Sequence, residues 1–201
     1  MKIYLVRHGL TRWNKTGRYA GWSDVPLSPA GVEQAERLAR CFSGLGPFTL
    51  YASDLKRTVI TAEIIGRGRG ISPVALPHFR ELFFGDWEGK TYRELAESCP
   101  AQLERWYNDP FMEAPPGGET AARLEQRAWA GLEKVMAAAP SGHAAVIVSH
   151  GGAIRAILRR CLGLAPESIW DITVENASIC LLSRNGPNLV VLFRNYCRHL
   201  D

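Results

Sequence analysis

Two short apolar runs, Ile3 to Val6 and Ala144 to Val148, carry no period-two alternation. A strand that is apolar on both faces belongs in a parallel sheet with helices covering each side. Thr49 to Ala52 and Val74 to Leu76 are weaker strand candidates. Between the runs the pattern turns helical. Val32, Ala35, Leu38, Ala39 and Phe42 share one face, Leu124, Ala128, Leu132, Val135 and Met136 share another, and a third helix is expected from about Ala153 to Leu162. Ser28 is placed to cap the first of these helices, with Pro29 at its first position. Strands alternating with helices predict an α/β fold, a three-layer sandwich with a mostly parallel sheet and helices on both faces. Ser178 to Leu182 and Leu189 to Phe193, separated by Asn185, Gly186 and Pro187, predict a hairpin or an edge addition. No Ser/Gly/Pro-rich linker divides the 201 residues, so one domain over 1–201 is expected.

Both strong runs end alike: Arg7, His8, Gly9 after the first, and Ser149, His150, Gly151, Gly152 after the second. Ligands of open α/β sheets bind outside the carboxyl ends of strands, so these histidines and Arg7 are delivered to the functional edge. A third strand end supplies Ser53, Asp54, Leu55, Lys56 and Arg57, where Ser53 reads as a helix N-cap and Arg57 falls in the first helical turn. A cation in a first turn opposes the helix dipole, so a purely structural Arg57 has a small cost to explain. Taken alone, the tripeptide Arg-His-Gly is weak. Two histidines and two arginines converging from three strand ends make an anion site that also holds a nucleophile or base. Paired histidines also suit a metal, but two guanidiniums would repel a divalent cation and matching carboxylates are missing from the two histidine-bearing strand ends.

Composition removes other classes. The five cysteines, Cys41, Cys99, Cys161, Cys180 and Cys197, form no CxxC pair, which predicts a reduced, cytoplasmic protein without structural zinc. The apolar runs fall far short of the roughly 20 residues that span a bilayer, so neither a transmembrane helix nor a secretory signal is expected. The net charge of +4 is scattered, with no nucleic-acid stripe.

The stretch Leu5, Val6, Arg7, His8, Gly9, with Thr11, Asn14, Gly21, Asp24, Pro26, Leu27 and Gly31, resembles the histidine phosphatase superfamily, phosphoglycerate mutase-like branch. Further matches keep the family's order: Ser53, Asp54, Leu55, Arg57, Thr58, Ala62; Glu81 with Gly85, Trp87, Glu88, Gly89; Pro116, Gly117, Gly118, Glu119; and Ser149, His150, Gly151, Gly152. The resemblance runs to about Asn176. It implies a phosphomonoesterase without cofactor or metal, in which His8 attacks phosphorus through one ring nitrogen while a backbone carbonyl holds the other N–H. Arg7, Arg57 and His150 would clamp the phosphoryl oxygens with Asn14 as a neutral donor, and Gly21 and Gly151 complete the substrate-binding set. Glu81 would protonate the leaving alkoxide and then activate water, a task for a carboxyl of raised pKa. Residue pattern alone leaves Asp86 and Glu88 open for that role; the resemblance selects Glu81, and Glu88 reads as a turn acid between glycines. Gly85 to Gly89 is expected to be a tight turn that aims Glu81. His78, His143 and His199 read as surface histidines, and Arg12, Arg18 and Trp22 suit either the pocket or an exposed loop.

Only about 29 residues separate Gly89 from Glu119, with Lys90, Arg93 and Arg105 as basic residues, whereas cofactor-dependent mutases of the family carry a longer insertion here. A more open pocket that admits water favours hydrolysis. The segments Phe83 to Glu88 and Trp106 to Asp109 look most like the α-ribazole phosphatases of cobalamin assembly, and Tyr19, Trp22, Phe83, Trp87 and Trp106 supply rings from which a stacking face for a base could be drawn; the alternative is that most of these rings pack the core or loop bases, and Trp87 is read that way. The alternatives are a broad-specificity phosphatase, a phosphoglycerate mutase, and a noncatalytic phosphate-binding regulator, against which the joint presence of a nucleophile and an acid argues. The expected partner is a small phosphomonoester, with neither nucleic acid nor membrane, and the protein is expected to be a monomer or homodimer.

Overall fold

The computed structural model describes residues 1–186 and 188–201. Six strands, β1 (Lys2–Arg7), β2 (Phe48–Ala52), β3 (Val74–Ala75), β4 (Ala144–Ser149), β5 (Ile179–Asn185) and β6 (Asn188–Tyr196), form one sheet in the order β3-β2-β4-β1-β5-β6. The run β3-β2-β4-β1 is parallel, and β5 and β6 add to it antiparallel, as the expected edge addition. Pro187 of the expected connection lies outside the described residues. The α-helices are α1 (Arg12–Lys15), α2 (Pro29–Phe42), α3 (Lys56–Arg67), α4 (Tyr92–Ser98), α5 (Pro100–Asn108), α6 (Ala121–Ala138) and α7 (Gly151–Leu162).

Side chains of β1 alternate between two cores. Ile3 and Leu5 pack in the cluster that holds Leu124 and Leu132 of α6 and Ile154 and Ile157 of α7, while Val6 packs with Leu38 and Phe42 of α2 and Ala62 and Ile65 of α3. That division makes the three layers, and each fully buried Leu or Ile contributes about 1.5–3 kcal/mol. Ser28 caps α2 as expected, its Oγ accepting from the Gly31 N–H at 3.1 Å, with Pro29 at the first position; such a cap is worth about 1 kcal/mol.

Ser53 departs from expectation. Helix α3 starts at Lys56 with Leu55 in the cap position and no side-chain cap bond. The Lys56 N–H goes instead to Asp24 Oδ1 at 2.7 Å, which places a carboxylate at the dipole's positive end and offsets the cations there. Helices α4 and α5 fill the stretch between Gly89 and Glu119, burying Leu95, Leu103 and Trp106. Among the described residues, no helix is long and apolar enough to cross a membrane.

Candidate active site

Strand order and register assemble the site. Strand β4 lies between β1 and β2, with Arg7 opposite Ser149 and Ala52 opposite Val148. The next residues, His8, His150 and Ser53, therefore emerge side by side, fixed by the His8 N–H to Ser149 O bond (3.0 Å) and the Ser53 N–H to Val148 O bond (3.0 Å). The rings of His8 and His150 meet edge to face, 5.1 Å between centroids.

His8 is buried, with Nδ1 2.7 Å from the Gly9 carbonyl oxygen. A carbonyl only accepts, so Nδ1 carries the proton and Nε2 the lone pair. Burial, then the Arg57 and Arg7 guanidiniums, push the ring well below the ordinary histidine value against a smaller opposite pull from the Gly9 bond, so His8 is neutral. His150 is fully buried between Ser53 Oγ (2.9 Å from Nε2) and Arg57 Nε (3.2 Å from Nδ1). Burial and Arg57 keep it neutral too. Both of its ring nitrogens are thus engaged by protein partners, so in this arrangement it presents no spare N–H.

Arg57 is buried, and its fork is fixed by the carbonyls of Ser23 (2.8 Å) and Gly21 (2.6 Å). Burial brings its pKa down to about 10, which leaves it cationic at neutral pH. Gly21, expected in the binding set, contributes through this carbonyl. It sits at φ +46°, and a Cβ there would overlap the Glu88 carboxylate. Arg7 donates from Nη1 to the Val174 carbonyl at 2.7 Å, and its Nε is buried without a partner. Asn14 turns its Oδ1 toward Thr11 N–H (3.0 Å), Thr11 Oγ1 (2.9 Å) and Asn176 Nδ2 (3.2 Å), so its own amide N–H groups are left for another acceptor. Gly151 opens α7 with its Cα facing the Arg7 guanidinium.

Glu81 faces the same centre. Its carboxylate accepts from the N–H of Leu82 (2.8 Å) and of Gly152 (3.1 Å), and a Cβ at position 152 would collide with it. Its main chain is held from behind: Arg127 donates to the carbonyls of His78 (3.1 Å), Arg80 (2.7 Å) and Glu81 (2.6 Å) and pairs with Glu119, while Trp22 Nε1 donates to the Glu81 carbonyl (2.8 Å). The residues expected to aim Glu81, Gly85 to Gly89, form a short 3₁₀ turn over Gly85–Trp87, and the aiming is done by Arg127 and Trp22. Asp86 is exposed. Glu88 is more than a turn acid: it accepts from the N–H groups of Trp22 and Ser23, both at 2.7 Å, and from the Ser23 hydroxyl, holding the loop that orients Arg57.

A neutral imidazole aimed between two guanidiniums, beside an unengaged amide and a carboxyl, can accept a tetrahedral dianion at Nε2. Among the described residues, no three His, Cys, Asp or Glu side chains cluster as metal ligands. Residues 3–196 match the histidine phosphatase superfamily (branch 1). The chain belongs to this family. Phosphoserine phosphatase 1 of Hydrogenobacter thermophilus is 32% identical over 200 residues, covering 100% of this chain and 94% of that protein. The adenosylcobalamin/alpha-ribazole phosphatase of Escherichia coli is 30% identical over 178 residues (87% and 86%), and the probable phosphoglycerate mutase GpmB of Yersinia pestis is 33% identical over 179 (89% and 83%). Among solved structures, Bacillus stearothermophilus YhfR superposes with a TM-score of 0.92 at 29% identity, covering 100% of this chain and 99% of that one.

The aromatic residues of this histidine phosphatase divide by role. Trp87 and Trp106 are core residues, and Tyr19 packs on Phe84 and Trp106. Trp22 and Phe83 remain as a half-buried pair 4.8 Å apart. Arg18 is spent on the Gly89 carbonyl and Glu94, and Arg12 is exposed. His78, His143 and His199 are half-buried rather than surface residues; His199 stacks on Tyr196 and bonds the Ala177 carbonyl at 3.0 Å. Sequence reasoning missed Asn176, whose amide donates to the His8 carbonyl and to Asn14, both at 3.2 Å. It also missed Arg127, and no local pattern marks either.

Proposed function

We propose that this protein hydrolyses phosphomonoesters through a phosphohistidine at His8 Nε2. The observation that carries the reading is the 2.7 Å bond from His8 Nδ1 to the Gly9 carbonyl, which leaves Nε2 unprotonated near the buried Arg57 guanidinium and the partly buried Arg7. Nε2 attacks phosphorus and the P–O ester bond breaks as Glu81 gives its proton to the departing oxygen. Water then attacks the phosphohistidine, Glu81 takes a proton from it, and phosphate leaves with His8 neutral again. Arg7, Arg57 and the Asn14 amide N–H stabilise charge on the transferring oxygens, and Gly151 lets the Arg7 guanidinium lie close to the start of α7. The segment after Gly89 packs into the core as α4 and α5, which supports hydrolysis over mutase chemistry by leaving the phosphoryl group open to water.

A second, narrower reading takes α-ribazole 5′-phosphate as substrate. It is supported by the relative from Escherichia coli and by the Trp22–Phe83 pair next to Glu81 as a stacking surface. Rapid quench with labelled phosphomonoester should trap an acid-labile, alkali-stable adduct in the wild type and none in His8→Ala. Label persisting on another residue of that variant would reject the mechanism. Interconversion of 2- and 3-phosphoglycerate faster than either is hydrolysed would restore the mutase.

A further inference from the structure

The two peptides that meet at Gly9 are fastened by groups from distant parts of the chain. The His8 carbonyl accepts from the Ala177 N–H (3.1 Å) and the Asn176 amide (3.2 Å), the Gly9 N–H goes to Thr61 Oγ1 (3.2 Å), and the Leu10 N–H goes to Gln34 Oε1 (2.8 Å). These bonds set where the Gly9 carbonyl points, and that carbonyl holds His8 Nδ1 at 2.7 Å. The tautomer of the nucleophile therefore depends on main chain outside the pocket.

One of these donors is strained. Ala177 is the third residue of a turn that leads into β5, closed by the bond from the Ser178 N–H to the Glu175 carbonyl at 3.1 Å. It is fully buried and sits at φ +57°, a conformation that favours glycine. A residue with a Cβ keeps that conformation only where its surroundings fix it. The end of β6 and the chain after it do so. Asn195 Oδ1 accepts from the Glu175 N–H at 2.8 Å at one end of the turn, and His199, in the short 3₁₀ turn Arg198–Leu200, donates from Nε2 to the Ala177 carbonyl at 3.0 Å at the other. A carbonyl only accepts, so Nε2 carries the proton, and His199 Nδ1 becomes a buried acceptor with no partner among the described residues. A ring present only to fill space would not carry that cost. The ring is set in place by its stack on Tyr196, 5.8 Å between centroids, and by Arg37 of α2, whose Nη1 donates to the Leu200 and Asp201 carbonyls, both at 2.7 Å.

We propose that His199 is a positioning residue for the nucleophile: by holding Ala177 in its left-handed conformation it fixes the His8–Gly9 peptide, and through the Gly9 carbonyl the ring tautomer that leaves Nε2 free to attack. The kinetic consequence rests on the phosphomonoesterase reading, whereas the tautomer is read without turnover. Among the described residues, His199 bonds none of Arg7, Arg57, Glu81 and His150. Its loss should therefore spare capture of the phosphoryl group and impair the bond that His8 makes to it.

His199→Phe keeps the ring and its stack and removes the donor. With nitrophenyl phosphate as substrate, kcat should fall about 10- to 100-fold, as it does when a reacting atom is misplaced. Inhibition by inorganic phosphate, which the guanidiniums bind, should be unchanged, while vanadate, which bonds to Nε2, should weaken in step with kcat. The ¹⁵N shifts of His8 should lose the Nδ1–H pattern of the wild type and show a mixture of tautomers. His199→Gln, which carries an N–H near the Nε2 position, should recover most of the rate. Ala177→Gly adopts the left-handed conformation without strain, so the double variant with His199→Phe should lose less than the two single losses combined. Arg37→Met loosens the same turn from the surface and should give the same split more weakly, which keeps the test decisive if His199→Phe does not fold. An unchanged kcat with the wild-type ¹⁵N pattern, an equal weakening of phosphate and vanadate, or a His199→Gln as slow as His199→Phe would each overturn the role of His199. Wild-type turnover no higher than that of His8→Ala would instead remove the phosphomonoesterase reading and leave His199 to be judged by the ¹⁵N pattern alone.

Discussion

Arg57 Nε donates to His150 Nδ1 at 3.2 Å. A guanidinium has no lone pair to accept with, so the His150 proton sits on Nε2, toward Ser53 Oγ. Burial and the field of Arg57 hold the ring neutral. A bound dianion cancels that field, which should raise the pKa of His150; a proton on Nδ1 then breaks the bond from Arg57 Nε and frees both groups to donate to the anion. Tungstate binding at pH 7 should therefore take up protons, measured as a dependence of binding heat on buffer ionisation enthalpy, with the ¹⁵N shifts of His150 moving to imidazolium values. Binding without proton uptake would leave Arg7 and Arg57 as the charged clamp.

His8 and His150 are both held below the ordinary histidine value, which sets two pH dependences. The nucleophile stays unprotonated into the acid range, so the acid limb of kcat/KM assigned to His8 should lie below pH ~6.5. The unfolded chain takes up protons at these residues from about pH 6.5 downward while the folded chain does not. Stability is then fully present above that pH and falls as pH drops toward the folded values. Chemical denaturation at pH 5 and pH 7.5 measures it, and His150→Gln should flatten the slope between them.

Glu81 should matter in proportion to how badly the leaving group needs a proton. Glu81→Gln is expected to cripple turnover of alkyl phosphates, by about 10²-fold or more, and to affect nitrophenyl phosphate far less. Equal losses on both substrates would reject the leaving-group acid role. Gly152→Ala should resemble Glu81→Gln, because the added methyl displaces the carboxylate.

Glu88 should act through Arg57. Arg57→Ala is expected to lower kcat about 10²- to 10³-fold, as removal of one oxyanion donor does. Glu88→Ala frees the loop of Gly21 to Ser23 whose carbonyls set the Arg57 fork, so it should lower kcat as well. In the Arg57→Ala background it should add little, because coupled residues are not additive. Additive losses in the double variant would give Glu88 a separate role.

The strands and the site histidines were legible because each is a local pattern: an apolar run of strand length, ending in a histidine and a glycine. Ser53 has the local signature of an N-cap, and nothing nearby says that His150 will take its hydroxyl from 97 residues away. Partners are equally remote for Glu88 and Trp22 (66 residues), Arg127 and Glu81 (46) and Asn176 and His8 (168). A charged side chain whose work is to hold a distant carbonyl or amide looks in sequence like any solvated charge. The aromatic residues are only partly legible for a related reason: composition supplies the rings, Trp87 reads as a core ring and is one, and packing alone decides that Trp106 joins it.

Strand β1 pairs only with β4 and β5, both of which lie beyond residue 143. During synthesis this apolar strand leaves the ribosome long before either neighbour exists, a wait of roughly 7–28 s at ~5–20 residues per second. For that interval Ile3, Leu5 and Val6 have no sheet to join, and the nascent chain offers them to chaperones or to other unfinished chains. A ribosome stalled anywhere ahead of β4 releases a product with its nucleophile already made and no pocket around it. Premature termination in the first two-thirds of the message should therefore yield inactive, aggregation-prone fragments rather than a weakened enzyme.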